Sequence, residues 1–345
     1  MKTIFYKYKS VSLMLAAITF LCSCSGKKEE GVSFKRFIMG APASITVYGA
    51  DEKTANAAAK AIFAEWARLD REYSYTDPYS TLSYVNRKAI TDWVEVDREF
   101  FSFLKQALDF YKMTNGSFDV TFAPLWEVWK KSAKVGVMPE KAEIDAALAQ
   151  VGFSAVTLNH VRRAVRFSKP VQLNLAGLIR GYALLRVKRM LEKMFPDPHP
   201  AILMDLGGDI LAFGRTKRPW ELEIKNPLRS KRRLGRVIFD EGAILTTGSY
   251  ERYVEIADKR YCHILDLKTG YPLENFSSLT IYLPSLEDIP FPSVVPALMG
   301  KEAAFKAVAG ITGAFGVWVD ADGRVETVLG PGTGARWQTA SRFGF

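Results

Sequence analysis

The stretch Thr246–Pro272 reads TTGSYERYVEIADKRYCHILDLKTGYP and combines β-forming segments with one tight turn. The aromatic and β-branched residues of Arg252–Ile256 are typical of a strand. A second such segment carries His263 and Asp266 and runs into Thr269-Gly270-Tyr271-Pro272, where glycine and proline predict a turn. The stretch therefore predicts β-structure with two polar side chains, three residues apart, at the end of a strand.

Histidine is scarce in this chain, which has only three. His160 and His199 lie in an arginine-rich and a proline-rich segment, and both are predicted to be surface residues. His263 is different because an imidazole at a strand end can accept or donate a proton near neutral pH. Taken alone, the position favours a structural histidine over a proton-transfer residue.

The rest of the sequence alternates between helical and β-type patterns. Helices are predicted at residues 51–73, 98–113, 139–151 and 177–194, and strands at 34–49, 155–158, 164–167, 201–204, 211–213, 222–224, 236–239, 244–246, 252–256 and 279–283. Long Pro/Gly-rich linkers and solenoid-type repeats are absent from the sequence. The pattern predicts one α+β domain, built as one or two lobes.

The composition is that of a globular protein, with 48% hydrophobic and 24% charged residues in 345. The net charge of +10 falls to +7 without residues 1–23, which contain three lysines and no acid. The basic cluster Arg229–Arg233 is predicted to be a solvated hairpin or loop, with a surface that attracts phosphates or an acidic partner as the less favoured alternative. No nucleic-acid-binding motif accompanies it, so we expect no nucleic-acid partner.

The N-terminus predicts export and lipid anchoring. A basic start is followed by the apolar run Val11–Leu21, which is too short to span a bilayer, and then by Leu21-Cys22-Ser23-Cys24, which looks like a lipobox. Cys24 is the predicted lipidation site, with Cys22 as second choice. We therefore expect a signal peptide at residues 1–23, a lipidated tether at 24–33 and a periplasm-facing lipoprotein of a bacterial envelope. Cys262 would then be the only free thiol, which excludes an intramolecular disulfide.

Two glycine-containing turns could approach a phosphate. Asp205-Leu206-Gly207-Gly208-Asp209 follows an apolar strand, and Leu173–Gly181 (LNLAGLIRG) opens a helix whose first turn carries Arg180. Glycine permits close backbone approach, and the amides of a helix N-terminus attract anions. Alone, the Gly-Gly pair is better explained as a hairpin, and neither segment is a Walker A or Rossmann fingerprint.

Several motifs in order make the sequence resemble one family. TNGSFDVT (114–121) with Pro124-Leu125-Trp126, LNLAGLIRGYA (173–183), LMDLGGDI (203–210) and the stretch Thr246–Pro272 look like the ApbE-type FAD:protein FMN transferases. Met39-Gly40 and Leu69–Asn86 are similar to the early motifs of that family. The resemblance covers roughly residues 34–315 and implies a single domain, placed at residues 34–340, with mostly antiparallel sheets flanked by helices.

The resemblance implies a reaction and a set of site residues. A serine or threonine hydroxyl of a client flavoprotein would attack the flavin-side phosphorus of FAD, AMP would leave, and Mg²⁺ would neutralise the pyrophosphate. His263 would accept the hydroxyl proton, and the backbone of Gly177 would lie at the metal. The residues that would line FAD are Met39, Tyr75, Ser117, Phe118, Asp119, Asn174, Arg180 and Ile264.

The sequence departs from the family pattern in two places. In the Leu173–Gly181 turn, Asn174, Ala176 and Arg180 replace an aspartate, a glycine and a lysine of the usual pattern. In the C-terminal motif, Pro290 and Val294 fall where the family has the aspartate and threonine that hold the metal, and neither can ligate Mg²⁺. Asp288 or Ser293 could substitute. The transferase is the main hypothesis, while an FAD hydrolase or a weakly catalytic FAD-binding lipoprotein, a carrier or interaction module, is the alternative.

Overall fold

A large antiparallel sheet forms the centre of the computed structural model, which describes residues 30–196, 199–250, 252–287 and 292–340. The sheet has eight strands. In spatial order these are β1 (Val32–Ile38), β2 (Ala41–Tyr48), β6 (Ala201–Leu206), β7 (Asp209–Phe213), β10 (Gly242–Gly248), β13 (Ser278–Leu283), β14 (Phe315–Val319) and β15 (Val325–Leu329). Every neighbouring pair in it is antiparallel.

Three smaller antiparallel sheets complete the β-structure of the described residues. One contains β8 (Trp220–Lys225), β9 (Arg233–Phe239) and β16 (Arg336–Thr339), and a second contains β3 (Val94–Glu95), β4 (Val156–Asn159) and β5 (Ala164–Phe167). The third is the hairpin of β11 (Tyr253–Ile256) and β12 (Lys259–Cys262), which lies inside the stretch Thr246–Pro272.

Eight α-helices lie within the described residues. They are α1 (Glu52–Tyr73), α2 (Thr81–Lys88), α3 (Arg98–Met113), α4 (Ala123–Val135), α5 (Lys141–Leu148), α6 (Ala176–Met194), α7 (Val294–Met299) and α8 (Lys301–Ala309). Helix α1 begins where the Asp51 carboxylate accepts a hydrogen bond from the Thr54 amide at 2.7 Å, which satisfies one of the unpaired amides of the first turn.

The main sheet is buried on both faces because its strands alternate between two apolar clusters. On one face Leu245 and Ile281 join the main core with the buried side of α1, including Trp66. On the other face the neighbouring residues Ile244 and Tyr282 pack with strands β8 and β9. Successive strand residues point to opposite faces, so the single sheet separates the helical layer from the small sheet.

A third, smaller cluster joins helices α4 and α5 to the β11–β12 hairpin. The indole Nε1–H of Trp129 donates to the Gly270 carbonyl at 2.9 Å. Gly270 has φ +78°, and a Cβ there would lie 2.3 Å from Ile144 Cγ2, so the turn after the hairpin tolerates only glycine. This packing fixes the hairpin and its turn against the body of the domain.

The predicted α+β class with mostly antiparallel sheets is confirmed. The predicted helices at 51–73, 98–113 and 177–194 correspond within one residue to α1, α3 and α6. Helices α2, α4, α7 and α8 and strands β14 to β16 lie outside the segments predicted by periodicity. Strand β1 begins two residues before the predicted domain start.

Outside the site, the other predicted surface features have different degrees of exposure. His160 is exposed, whereas His199 is half-buried and its Nδ1 lies 2.6 Å from the Phe195 carbonyl oxygen. Arg229–Arg232 forms an exposed turn. Among the described residues, none of the helices combines the length and apolarity needed to cross a membrane. Cys24, Asp288 and Pro290 lie outside the described residues.

Candidate functional site

His263 lies directly after β12 and is bound to a single carbonyl oxygen. Its backbone N–H donates to the Arg252 carbonyl at 3.1 Å, and its Nδ1 lies 2.9 Å from the same oxygen. A ring nitrogen facing a carbonyl carries the proton, so Nε2 keeps its lone pair. The half-buried imidazole also contacts the Trp126 ring, edge to face, at a centroid distance of 6.4 Å. The geometry therefore gives a proton acceptor at Nε2.

The surroundings of His263 keep it neutral. The pKa of the imidazole is lowered to about 4, chiefly by burial and also by the positive charges of Arg252 and Arg180, against the opposing effect of the hydrogen bond to the Arg252 backbone. The ring is therefore unprotonated at neutral pH and available as a base. Asp266 does not orient it, since the Asp266 carboxylate accepts from the Lys268 amide at 2.9 Å and belongs to the following turn.

The Met39–Gly40 turn reaches the histidine through Arg252. Met39 and Gly40 have φ values of +51° and +66°, so this β1–β2 connection needs the left-handed region twice. The Asp70 carboxylate accepts from the Met39 amide at 3.1 Å, and the Gly40 carbonyl accepts from Arg252 Nη2 at 3.4 Å. Arg252 thus contacts this turn through its side chain and His263 through its backbone carbonyl, and so connects the two.

The Gly207-Gly208 turn is a hairpin between β6 and β7, as the residues alone suggested, and it also contacts the predicted phosphate-binding arginine. Both glycines have positive φ, +65° and +91°. Arg180 Nη1 donates to the Gly207 carbonyl at 2.8 Å, and its Nε lies 3.4 Å from the carboxylate of Asp209. Burial raises the pKa of Asp209, while the charge of Arg180 opposes that rise. The hairpin therefore fixes one edge of the guanidinium.

The Asp119 carboxylate accepts hydrogen bonds that hold the loop at residues 114–122. One of its oxygens accepts from both the amide and the hydroxyl of Thr121 at 2.7 Å, and the other accepts from the Phe153 amide at 2.7 Å. The carboxylate is buried, and burial raises its pKa against these hydrogen bonds. Its contacts are those of a residue that shapes the loop, which presents Ser117 and Phe118 beside it.

Helix α6 begins beside that loop. The Val120 carbonyl accepts from the Asn174 amide at 2.6 Å, and the Asn174 side-chain oxygen accepts from the Ala176 amide at 3.1 Å. Phe118 lies 3.8 Å from the position that a Cβ on Gly177 would take. The first turn of a 19-residue helix, the end that favours an anion, thus borders the loop.

Two further predicted FAD-lining residues lie at the ends of other elements. The Tyr75 hydroxyl donates to the side-chain oxygen of Gln172 at 2.6 Å, and burial raises the pKa of this tyrosine. Ile264 is buried next to His263, where its carbonyl accepts from the Leu273 amide at 2.9 Å. Gln172, the partner of Tyr75, lies just before the segment that carries Asn174, and Ile264 follows His263 directly at the strand end.

The described residues around Gly177 do not fit a magnesium site. Val294 Cγ1 lies 3.6 Å from the Cβ position of Gly177, so a methyl group borders the expected metal position. The buried hydroxyls of Ser293 and Thr247 are 2.6 Å apart and hydrogen-bond each other. Mg²⁺ prefers oxygen ligands with a carboxylate or phosphate among them. Within the described residues, no group of three His, Cys, Asp or Glu side chains could hold a metal.

The structure brings part of the predicted set together around His263. Arg180, Arg252 and the Met39–Gly40 turn are linked to each other through the Gly207 hairpin, whose amide donates to the Pro42 carbonyl at 2.9 Å. Phe118, Asn174 and Gly177 form a neighbouring group at the start of α6, and Ser117 precedes Phe118 in the adjoining loop. Arg252 was not predicted, although its position in the same stretch as His263 is a usable signal.

A neutral imidazole beside two guanidinium groups and two glycine turns is an arrangement suited to chemistry at a phosphate group. The comparisons with known proteins agree with this class. The model of the ApbE family matches residues 39–314. The chain therefore belongs to the ApbE family, and the predicted resemblance is confirmed.

Relatives and solved structures extend this likeness. The FAD:protein FMN transferase of Klebsiella pneumoniae (strain 342) is 28% identical over 252 residues, which are 72% of this chain and 76% of the relative. The FAD:protein FMN transferase of Treponema pallidum is 23% identical over 346 residues, 94% of both chains. The crystal structure of the ApbE protein of Thermotoga maritima superposes with a TM-score of 0.77 at 29% identity, covering 87% of this chain and 97% of that chain.

Proposed function

We propose that this chain transfers FMN from FAD to a serine or threonine hydroxyl of a client flavoprotein and releases AMP. The observation that carries the proposal is His263, whose Nδ1 is bound to the Arg252 carbonyl at 2.9 Å and whose Nε2 is left as a base. The names of the relatives support the same reaction. FAD is thus the substrate of the site.

The reaction needs one proton acceptor and a site that holds the pyrophosphate. The client oxygen forms a bond to the flavin-side phosphorus, the bond from this phosphorus to the bridging oxygen breaks, and that oxygen leaves with AMP. Nε2 of His263 takes the proton of the client hydroxyl as the new bond forms. Because the imidazole pKa is lowered to about 4, the base is ready at neutral pH without first losing a proton.

The remaining predicted residues support FAD binding by their positions. Arg180 offers a guanidinium beside the hairpin of Gly207, and a guanidinium matches two phosphate oxygens at once. The start of α6 and the loop shaped by Asp119 bring the backbone of Gly177 and the ring of Phe118 together. Met39, Tyr75, Ser117, Phe118, Asn174 and Ile264 complete the proposed FAD-lining set. We assign no step to Mg²⁺, because the described donors around Gly177 do not fit it.

The test combines the full-length protein, FAD and a client peptide that carries an acceptor threonine, followed by mass spectrometry. The expected result is a peptide heavier by one FMN together with free AMP. A peptide with valine in place of the acceptor is the matched substrate control. His263→Gln is expected to abolish transfer, whereas His160→Gln, which changes an exposed histidine, leaves it intact.

Two outcomes would overturn the proposal. Free FMN and AMP with an unmodified peptide would show that water, not the client, attacks the phosphorus, which makes the protein an FAD hydrolase. Bound but unchanged FAD would make it a carrier. Transfer that persists in His263→Gln would remove the role of the base even if the reaction itself were correct.

We also propose that the protein is held at the surface of an envelope membrane by lipid on Cys24. The support is the motif Leu21-Cys22-Ser23-Cys24 after a basic and apolar leader. In cell fractionation, the wild-type protein is expected in the membrane pellet and Cys24→Ala in the supernatant. Cys22→Ala is the matched control, and a supernatant location for this variant instead would move the lipid to Cys22.

A further inference from the structure

The departures around Gly177 leave the pyrophosphate of FAD in need of another source of positive charge. The described hydroxyls of Thr247 and Ser293 are neutral and bonded to each other, and Val294 presents a methyl group to Gly177. In the sequence, Pro290 has no side-chain oxygen. A divalent cation beside Gly177 would be held mainly by the substrate, because Thr247, Ser293 and Val294 contribute no negative charge.

Two arginines from different elements donate to the carbonyls of two neighbouring turns. Arg252 Nη2 donates to the Gly40 carbonyl at 3.4 Å, and Arg180 Nη1 donates to the Gly207 carbonyl at 2.8 Å. The Gly207 amide in turn donates to the Pro42 carbonyl at 2.9 Å, two residues from Gly40. Arg252 is thus anchored at the β1–β2 connection and Arg180 at the adjacent β6–β7 hairpin, and the charges of both lower the pKa of His263.

The charge of this pair matches the ligand. The pyrophosphate of FAD carries one negative charge on each phosphorus, and a guanidinium presents up to five N–H donors in a planar fork. The contacts of Arg180 with Gly207 and Asp209 involve its Nη1 and Nε atoms, so donors of the fork remain for a phosphate. An arginine, unlike the lysine of the family pattern, can bind two oxygens at once.

We infer that Arg180 and Arg252 balance the charge of the FAD pyrophosphate in this chain, in place of a bound divalent cation. The inference rests on the proposed function, because it takes FAD as the ligand. The two guanidinium groups then stabilise the negative charge during the reaction, and no bound metal ion is needed for this. FAD binding should therefore be the same with and without magnesium.

The test measures FAD binding by quenching of flavin fluorescence with the full-length protein, in excess EDTA and then in excess MgCl₂. The expected dissociation constants agree within about twofold. Arg180→Gln and Arg252→Gln are each expected to weaken binding by about tenfold or more in both conditions, since each loses a charge-assisted contact. Arg186→Gln, on the same helix but paired with Glu65 and Glu99, is the matched control and leaves binding unchanged.

A further variant tests whether restoring the metal-binding side chains of the family makes FAD binding depend on magnesium. Pro290→Asp combined with Val294→Thr supplies a carboxylate and a hydroxyl and is expected to bind FAD about tenfold more tightly in MgCl₂ than in EDTA. If the wild-type protein shows the same magnesium response, its own donors suffice and the inference is wrong. Unchanged FAD binding in Arg180→Gln and Arg252→Gln would also overturn it. Absence of FAD binding under both conditions would instead refute the proposed function itself.

Discussion

Acidification should destabilise this protein partly through His263, and the size of the effect follows from its surroundings. The pKa of the folded imidazole is about 4 and its ordinary value is 6.5, so between these values the unfolded chain binds the proton more strongly. Stability due to the neutral ring is present above about pH 6.5 and is lost as pH falls towards 4. From pH 7 to pH 5 the loss is up to about 2 kcal/mol.

The assay compares wild-type protein and His263→Gln in urea unfolding at both pH values. Glutamine does not titrate, so the variant should lose about 2 kcal/mol less than wild type on acidification. Carboxylates with a lowered pKa, such as Glu65, also lose stability at low pH, but they do so equally in both proteins. Equal losses in the two proteins would refute the argument that His263 is held neutral. The same pKa predicts that kcat/KM for FAD keeps its plateau down to about pH 5.

Three stability predictions follow from individual contacts, each measured by urea unfolding. Asp119→Asn should cost about 1–3 kcal/mol, because an amide cannot accept from every buried donor around Asp119, including the Phe153 amide. Gly270→Ala should cost about 3 kcal/mol, since a Cβ would lie 2.3 Å from Ile144 Cγ2 at a φ of +78°. Tyr73→Phe should be neutral or stabilising by about 1 kcal/mol, because among the described residues the buried Tyr73 hydroxyl has no hydrogen-bond partner.

Each of these has a control within the chain. Asp109→Asn changes an exposed aspartate of α3 and should have little effect. Gly136→Ala places a Cβ at φ +73° with no atom within 4 Å, so it isolates the backbone cost, about 1 kcal/mol, from the clash at Gly270. Equal losses at the two glycines would rule out the steric explanation. A clear loss in Tyr73→Phe would reveal a partner of the hydroxyl.

Helices with strong local signals were predictable from the sequence. Helix α1 has an aspartate cap at Asp51 and apolar residues at helical spacing, and α3 has the same combination after Asp97. Their predicted limits agree with the structure within one residue. The strand end at His263 and the turn after it were also predictable, because the four residues Thr269–Pro272 contain both a glycine and a proline, which mark a turn.

Other elements depend on contacts that periodicity does not show. Helix α4 begins at Ala123 without a side-chain cap, and its buried Trp129 is fixed by the distant Gly270 carbonyl. Helices α7 and α8 are short and meet at Gly300. In each case tertiary packing outweighs the weak local preference of a short segment, so the sequence alone does not reveal the helix.

In the site too, the residue types were predictable from local motifs, whereas the contacts of their side chains were not. The motifs indicated which residues belong to the site, but not that Asp119 would be saturated by Thr121 and Phe153, nor that Val294 would face Gly177. Both facts arise where segments far apart in sequence meet. A motif predicts the residue type at a position, whereas the role of its side chain depends on which donors lie around it.

Arg252 couples the proposed phosphate binding to the orientation of the base, because it contacts both parts of the site. Its carbonyl holds Nδ1 of His263, and its side chain reaches the Gly40 carbonyl in the β1–β2 turn. A pyrophosphate that binds the Arg252 guanidinium therefore also contacts the residue whose backbone carbonyl fixes the tautomer of His263. Arg252→Gln keeps that carbonyl, so it should weaken FAD binding while the base stays correctly protonated. A variant that instead lost turnover with unchanged FAD affinity would show that the side chain of Arg252 positions His263 rather than the phosphates.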